Sequence, residues 1–348
     1  MLDQAIVATS SLALASRLIK ERRPDIILTT APPIPSAVTA SLVGKAHRVP
    51  YVVDLRDVWP DLLSHMNEWG NKAEANPPSA IRAEAFDALI AAGGSVFRWT
   101  LKNAAGIITT TPSFAEKLRR EDCSEVLNIR NMASVREAPV PPLEESRSEA
   151  SRTEGTLRIL YAGTTGRAQG LDSALEALRL TIEAGVDARM RIAGSGAHLR
   201  LLKLHAAREG LPVEFLDRVG YEDVVEHYEW CDTSLVHLRS WEPLSYTVPS
   251  KLYEALSLGR HVSVAANGES ARIITETEAG HAVPAMNPQA LADLWVKLAS
   301  NRDLLDVGTG GRRWLLKRET PEQNSKKVED FALKVANKCS RRERRPVK

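Results

Sequence analysis

An α/β protein of two doubly wound, parallel-sheet domains is what the sequence predicts, and three observations predict it. Short β-rich apolar runs alternate with amphipathic helical stretches along the chain. A segment rich in Pro, Ser and Glu interrupts that alternation, and the pattern then restarts. The 348 residues, 43 % of them apolar, are enough for two ordinary cores.

In the first half, a helix over residues 2–21 precedes strand candidates at 25–30, 51–55, 106–111 and 126–129. The helix at 36–48 must stop before Pro50, because a proline disfavours helical geometry in its predecessor. Pro112 and Ser113 open another helix directly after a strand. Four strands fall short of the roughly six of a doubly wound domain, so the N-terminal domain, 1–136, is expected to be incomplete at its start. Residues 137–156, EAPVPPLEESRSEASRTEGT, lack apolar periodicity and read as an exposed linker. Beyond it, strands at 158–162, 189–193, 213–216, 233–238 and 261–265 alternate with helices at 171–184, 198–209, 223–230 and 251–257. This second domain, 157–318, reads as Rossmann-like. A last helix at 322–337 fits either domain and leads into a basic tail, so that 319–348 stands as a C-terminal appendage.

Lys and Arg number 46 against 44 Asp and Glu, and a net charge of +2 provides no field for a polyanion, so nucleic acid is not an expected partner. The three cysteines lie far apart, without metal-ligand spacing or a framework of bridges, as in a reducing cytoplasm. No apolar run approaches the roughly 20 residues of a membrane span, and residues 1–16 do not have the form of a signal peptide. A cytoplasmic protein is expected. In the tail, Lys338, Arg341, Arg342, Arg344, Arg345 and Lys348 face Glu343 alone. That run is either a solvated end or a contact to an anionic membrane surface.

The most informative stretch is RILYAGTTGRAQGL, residues 158–171, where a strand ends at Gly163 and enters a loop with Gly166, Arg167 and Gly170. Glycines there admit a phosphate to backbone N–H groups, and a guanidinium adds a charged hydrogen bond of about 1.5–3 kcal/mol. Glycine spacing alone equally suits a turn that needs glycine for geometry. A second turn of the same kind ends RMRIAGSG, at Gly194 and Gly196. A third element, PSKLYEALSLG, puts Lys251 at a helix start and Glu254 one turn on. That placement suits a cation on a diphosphate and a carboxylate on the hydroxyls of a ribose.

Residues 158–260 resemble the donor-binding domain of retaining family-4 glycosyltransferases, and most closely the fucosamine-type transferases of O-antigen and capsule synthesis. The shared patterns are YAG-x-x-GRAQGLD, from Tyr161 to Asp172, and PSK-x-x-EA, from Pro249 to Ala255. In the first half VDLRDVWPD, from Val53 to Asp61, and Asn131 resemble N-domain segments of those enzymes. The resemblance implies a GT-B fold, with two Rossmann-like domains facing a cleft. It implies that Arg167 and Lys251 contact the donor pyrophosphate, Glu254 the ribose, and Gly163 with Thr164 the phosphate approach. It further implies a UDP-linked donor carrying an N-acetylated amino or deoxy sugar, a lipid-linked or glycan acceptor, and retention at the anomeric carbon. Two positions depart from the wider family: Tyr246 stands where an earlier glutamate is common, and Gln169 where a lysine follows the loop arginine. The resemblance implies a strand and a glycine-rich loop before the helix at 2–21, and these are expected to be missing from the N-terminal domain.

A nucleoside diphosphate leaves readily once its charge is stabilised, so Arg167 and Lys251 are expected to suffice without a metal or other cofactor. Asp57, at a strand end, is the candidate to orient the acceptor or steady positive charge on the sugar. Its alternative is to pair with Arg56 or to cap the next helix. Asp54 and Asp57, with an arginine between them, do not form a convincing cation site. Residues 81–101 hold Phe86, Leu89, Ile90, Val96, Phe97 and Trp99. The resemblance implies a membrane-touching helix there, whereas the residues alone favour a core-facing helix broken at Gly93 and Gly94. His65, His237 and His261 have no partner pattern and are expected in core or surface roles. Two other functions share this pattern: a GT-B-fold sugar-nucleotide epimerase, and a nucleotide-binding protein without transferase activity.

Overall fold

A computed structural model describes residues 2–62, 65, 80–123, 125–131, 155–217, 221–317 and 320–343. All but the last two residues of the predicted linker, and the end of the basic tail, lie outside them. The chain divides into two compact units, Met1–Asn131 with Glu319–Lys348, and Met132–Arg318.

The first unit is built on β1 (Ile27–Ala31), β2 (Tyr51–Leu55), β3 (Gly106–Thr109) and β4 (Glu125–Asn128), a parallel sheet in the order β1-β2-β3-β4. Its helices are α1 (Leu2–Glu21), α2 (Ile34–His47), α3 (Ala80–Asn103) and α4 (Pro112–Arg120). α2 stops where Arg48 takes a left-handed conformation, φ 56°, two residues before Pro50. α4 starts where the Thr111 hydroxyl accepts the Phe114 N–H, with Pro112 in the first turn. The break expected at Gly93 and Gly94 is corrected. α3 runs unbroken through Gly93 and Gly94, because Gly94, Phe97 and Leu101 fall on one buried stripe and packing outweighs the helix cost of glycine, about 1 kcal/mol each. Val96 and Trp99 are exposed on the same helix, and the Lys45 ammonium lies 5.3 Å from the Trp99 ring centre.

The last helix, α12 (Pro321–Glu343), belongs to this first unit. Phe331 and Val335 pack with Val52 and Ile108, and a Cβ on Gly106 would come within 2.7 Å of the Phe331 ring. Glycine at the head of β3 is therefore what lets α12 lie down on the sheet. Lys334 and Lys338 hold Glu125 at 2.9 and 2.7 Å and keep its carboxyl low, at about 2.

The second unit contains β5 (Leu157–Ala162), α5 (Leu171–Glu183), β6 (Ala188–Ala193), α6 (Leu199–Arg208), β7 (Val213–Leu216), α7 (Tyr221–Trp230) and β8 (Thr233–His237). α8 (Ser250–Ser257), β9 (His261–Ala265), α9 (Glu269–Thr277), β10 (Gly280–Val283), α10 (Pro288–Ser300) and α11 (Gly310–Leu316) complete it. The six strands are parallel in the order β10-β9-β8-β5-β6-β7. Tyr161, Leu171, Leu175, Met190, Trp295 and Leu298 fill the core between sheet and helices. The chain winds outward from β5 to β7 and then crosses back to β8, so the strand order reverses beside β5. Open α/β sheets bind ligands outside the carboxyl ends of strands at such a switch.

Candidate active site

A crevice of about 480 Å³ opens at that switch, lined by residues following β5 and β6 and by the first turns of α8. Gly163, Thr164, Gly194, Lys251 and Glu254 all line it, together with Gln169, Ser195, Val224 and Ser250. Five predicted site residues, separated by up to 91 positions of sequence (254 − 163), thus share one cavity.

The two glycine turns contribute through their missing side chains more than through their own amides. Gly163 N–H donates to the Ala193 carbonyl at 2.8 Å, and Gly194 N–H to the Leu216 carbonyl at 3.2 Å. Thr165 N–H is likewise taken by Ser195, at 3.0 Å. Among the described residues, the N–H groups of Thr164 and Ser195 have no backbone acceptor, and both residues line the crevice. A Cβ on Gly194 would stand 2.0 Å from the Gly163 carbonyl oxygen, so the turns meet only because that position is glycine. Gly163, at φ +134°, has the Lys251 ammonium 3.1 Å from where its Cβ would be.

Lys251 is 8 % exposed. Its ammonium sits 3.3 Å from the centre of the Tyr161 ring. Among the described residues no carboxylate lies within ion-pair distance of it. Burial holds its pKa well below the ordinary lysine value, and the field of Glu254 offsets this only in part. Burial also raises the Glu254 carboxyl. The Tyr228 hydroxyl, fully buried, lies 3.4 Å from both Glu254 Oε2 and the Lys251 carbonyl and tethers the start of α8.

Three predicted residues of the second unit lie outside the crevice wall. Gly196 packs against the Thr165 backbone, where a Cβ would come within 2.5 Å of the carbonyl oxygen. Gly166 and Arg167 begin the 3-10 turn Arg167–Gln169, from which Gln169 alone reaches the wall. The carbonyls of that turn are all held from the end of β8. Arg239 Nε donates to Arg167 (2.8 Å), Arg239 N–H to Ala168 (2.9 Å) and His237 Nδ1 to Gln169 (2.7 Å). The half-buried Arg167 side chain has no ion pair among the described residues. His237 is buried with Nε2 unpartnered, and burial lowers its pKa to about 4, so the ring is neutral.

In the first unit, Arg56 Nε pairs with Asp54 at 2.8 Å, and Arg56 Nη1 donates to Asn131 at 3.1 Å. Asp57 is therefore not the partner of Arg56. Its side chain reaches solvent and has no ion pair among the described residues, while the surrounding protein raises its carboxyl above the usual range. Among the described residues no three His, Cys, Asp or Glu side chains converge as metal ligands.

The supporting shell, Tyr161, Tyr228, His237 and Arg239, escapes sequence reasoning. Tyr161 carries the one available signal, an aromatic residue two positions before the glycine that ends its strand.

Residues 143–328 match the model of the glycosyl transferases group 1 family, and residues 6–127 that of a glycosyl transferase 4-like domain. The chain belongs to the group 1 glycosyltransferases, and its two parallel-sheet units are those of the GT-B fold. Sucrose-phosphate synthase from Thermosynechococcus elongatus is similar in structure, with a TM-score of 0.68 at 16 % identity over 93 % of this chain and 77 % of that one. Anabaena HepE in complex with UDP gives 0.66 at 12 % identity, over 92 % and 81 %. S. aureus TarM, in complex with UDP and α-GlcNAc-glycerol, gives 0.62 at 14 % identity, over 92 % and 58 %. No curated protein matches the sequence.

Proposed function

We propose that the crevice of the second unit holds the diphosphate of a UDP-sugar and that the enzyme transfers its sugar, with retention, to a lipid-linked or glycan acceptor in cell-surface polysaccharide synthesis. The donor sugar of this reading is an N-acetylated amino or deoxy hexose. The observation that carries it is the Lys251 ammonium, buried at a helix start and, among the described residues, without a carboxylate within ion-pair reach, between two turns that offer the Thr164 and Ser195 amides. A buried cation without a countercharge is costly, and a diphosphate supplies that countercharge. Glu254, one turn along α8, suits the ribose hydroxyls.

In the reaction, the bond from the anomeric carbon to the diphosphate breaks with its electron pair on phosphate oxygen, and an acceptor hydroxyl oxygen bonds to that carbon and gives its proton to the departing diphosphate. Lys251 and Arg167 stabilise the departing charge. Asp57 serves the acceptor side or steadies the sugar cation, and no metal is required. UDP bound to HepE and TarM supports the choice of nucleotide. The exposed Val96 and Trp99 beside Arg98 and Lys102 on α3 support a peripheral contact with the cytoplasmic membrane face. No described helix is long and apolar enough to cross a membrane.

Calorimetric titration with UDP, in chelator, tests the site. Lys251→Met, Arg167→Ala and Glu254→Ala are each expected to weaken binding about 10- to 100-fold, the loss of one charged hydrogen bond. Asp57→Asn is expected to bind UDP like the parent and to lose acceptor-dependent UDP release. UDP affinity unchanged in Lys251→Met would overturn the reading. Release of UDP without acceptor would favour an epimerase, and binding without any turnover a nucleotide-binding protein.

A further inference from the structure

Beneath the crevice, Tyr161 meets both halves of the site and has no access to a ligand. It is fully buried in the middle of the second unit's core and is not part of the crevice wall. The face of its ring lies under the Lys251 ammonium at 3.3 Å. Its hydroxyl donates to the Thr164 carbonyl at 2.5 Å. One rigid side chain therefore touches the cation on α8 and the loop that supplies a free amide after β5. These two groups come from opposite sides of the crevice and share no direct hydrogen bond among the described residues.

We infer that Tyr161 is the positioning residue of this site: its ring seats the Lys251 ammonium, and its hydroxyl fixes the Thr164 loop at a set distance from it. The negative face of an aromatic ring attracts a cation within about 6 Å, most strongly where water is excluded. Other titratable groups around Lys251 do not fill that role. Glu254 acts on it through space without an ion pair, Tyr228 reaches its backbone carbonyl, and His237 is neutral. Burial drives the lysine toward its neutral form, and the ring opposes that without neutralising the charge, as a carboxylate would. Whatever charge the lysine carries is left uncompensated by the ring and open to an anion. Gly163 completes the arrangement, because a side chain there would occupy the space of the lysine terminus.

The inference rests on the UDP reading for its ligand, and the test separates the two. Phenylalanine and its mono-, di- and trifluoro analogues are placed at position 161 by amber suppression. The series keeps the ring's shape while draining its negative face. In the ligand-free protein, the Lys251 titration followed by NMR should move stepwise to lower pH with each fluorine, and the unfolding midpoint should fall no further than that shift requires. UDP affinity should fall in parallel, about 10-fold across the series. Tyr161→Phe, which retains the ring, should leave the lysine titration in place and weaken UDP by several-fold through release of Thr164. A flat lysine titration across the fluorinated series would overturn the inference and leave Tyr161 as core packing. If the parent fails to bind UDP, the UDP reading falls, and the ligand-free titration still decides the role of Tyr161.

Discussion

Gly194 shows how little freedom single positions have at this site. Its φ of +147° suits glycine, and a Cβ would stand 2.0 Å from the Gly163 backbone oxygen. Gly185, at φ +89°, has nothing within 4 Å and so isolates the conformational cost alone. Gly185→Ala should cost about 1–2 kcal/mol in urea unfolding, and Gly194→Ala about 4 kcal/mol or more, because the β5 and β6 turns must part. Equal losses in the two variants would show that the turns tolerate separation. The sequence points to Gly163 and Gly194 because each ends an apolar run just before a loop. The same logic also selects Gly196, which faces backbone. Whether a turn glycine faces a ligand or another turn depends on which strands are neighbours, and that is a long-range property. For the same reason the Tyr161–Lys251 contact, across 90 positions (251 − 161), leaves no local mark.

At the scale of elements, strong local signals decide what can be read. β2, β7 and β9 fall where their apolar runs place them, and Pro50, Pro112 and Gly170 punctuate helices as expected. β10 is four residues, GHAV, opening on a glycine, and it becomes a strand only because β9 offers an edge. That edge also builds a buried polar chain. Trp295 Nε1 donates to Ser263 Oγ (3.3 Å), which meets Thr233 Oγ1 (2.9 Å), then His261 Nδ1 (2.8 Å), whose Nε2 meets His281 Nδ1 at 2.9 Å. Burial, with the field of His281, lowers His261 to about 3, and burial lowers His281 as well. With folded values below the unfolded 6.5, the neutral rings support the fold above pH 6.5. As pH falls from there toward 3, His261 gains its proton only in the unfolded chain. Stability should therefore drop by about 1.4 kcal/mol per pH unit for His261. Urea unfolding at pH 7.5 and 5 should show this slope, and His261→Asn should flatten it by about one histidine's share. A slope unchanged in that variant would mean that the pair already protonates in the folded state.

For the whole molecule, the division of the chain into two units locates the effect of a ligand. The second unit holds its own sheet, core and crevice, and the first has a separate core that the far end of the chain closes through Phe331 and Val335. Sequence alone leaves α12 unassigned, because its amphipathic pattern fits either sheet. The contact that decides the matter is between Gly106 and Phe331, 225 positions apart (331 − 106). A ligand bound only by the folded second unit stabilises that unit by about 2.7 kcal/mol at a hundredfold excess over Kd. Core amides of β5, β6 and β8, which exchange through opening of the whole unit, should then slow about 100-fold in UDP. Amides of β2 and β3 answer to a different core, and their exchange should change far less. Hydrogen exchange read by mass spectrometry resolves the two sheets in one experiment. Protection gained equally in both would mean that the nucleotide site draws on the first core as well, and that the Lys251 crevice is only part of what UDP holds.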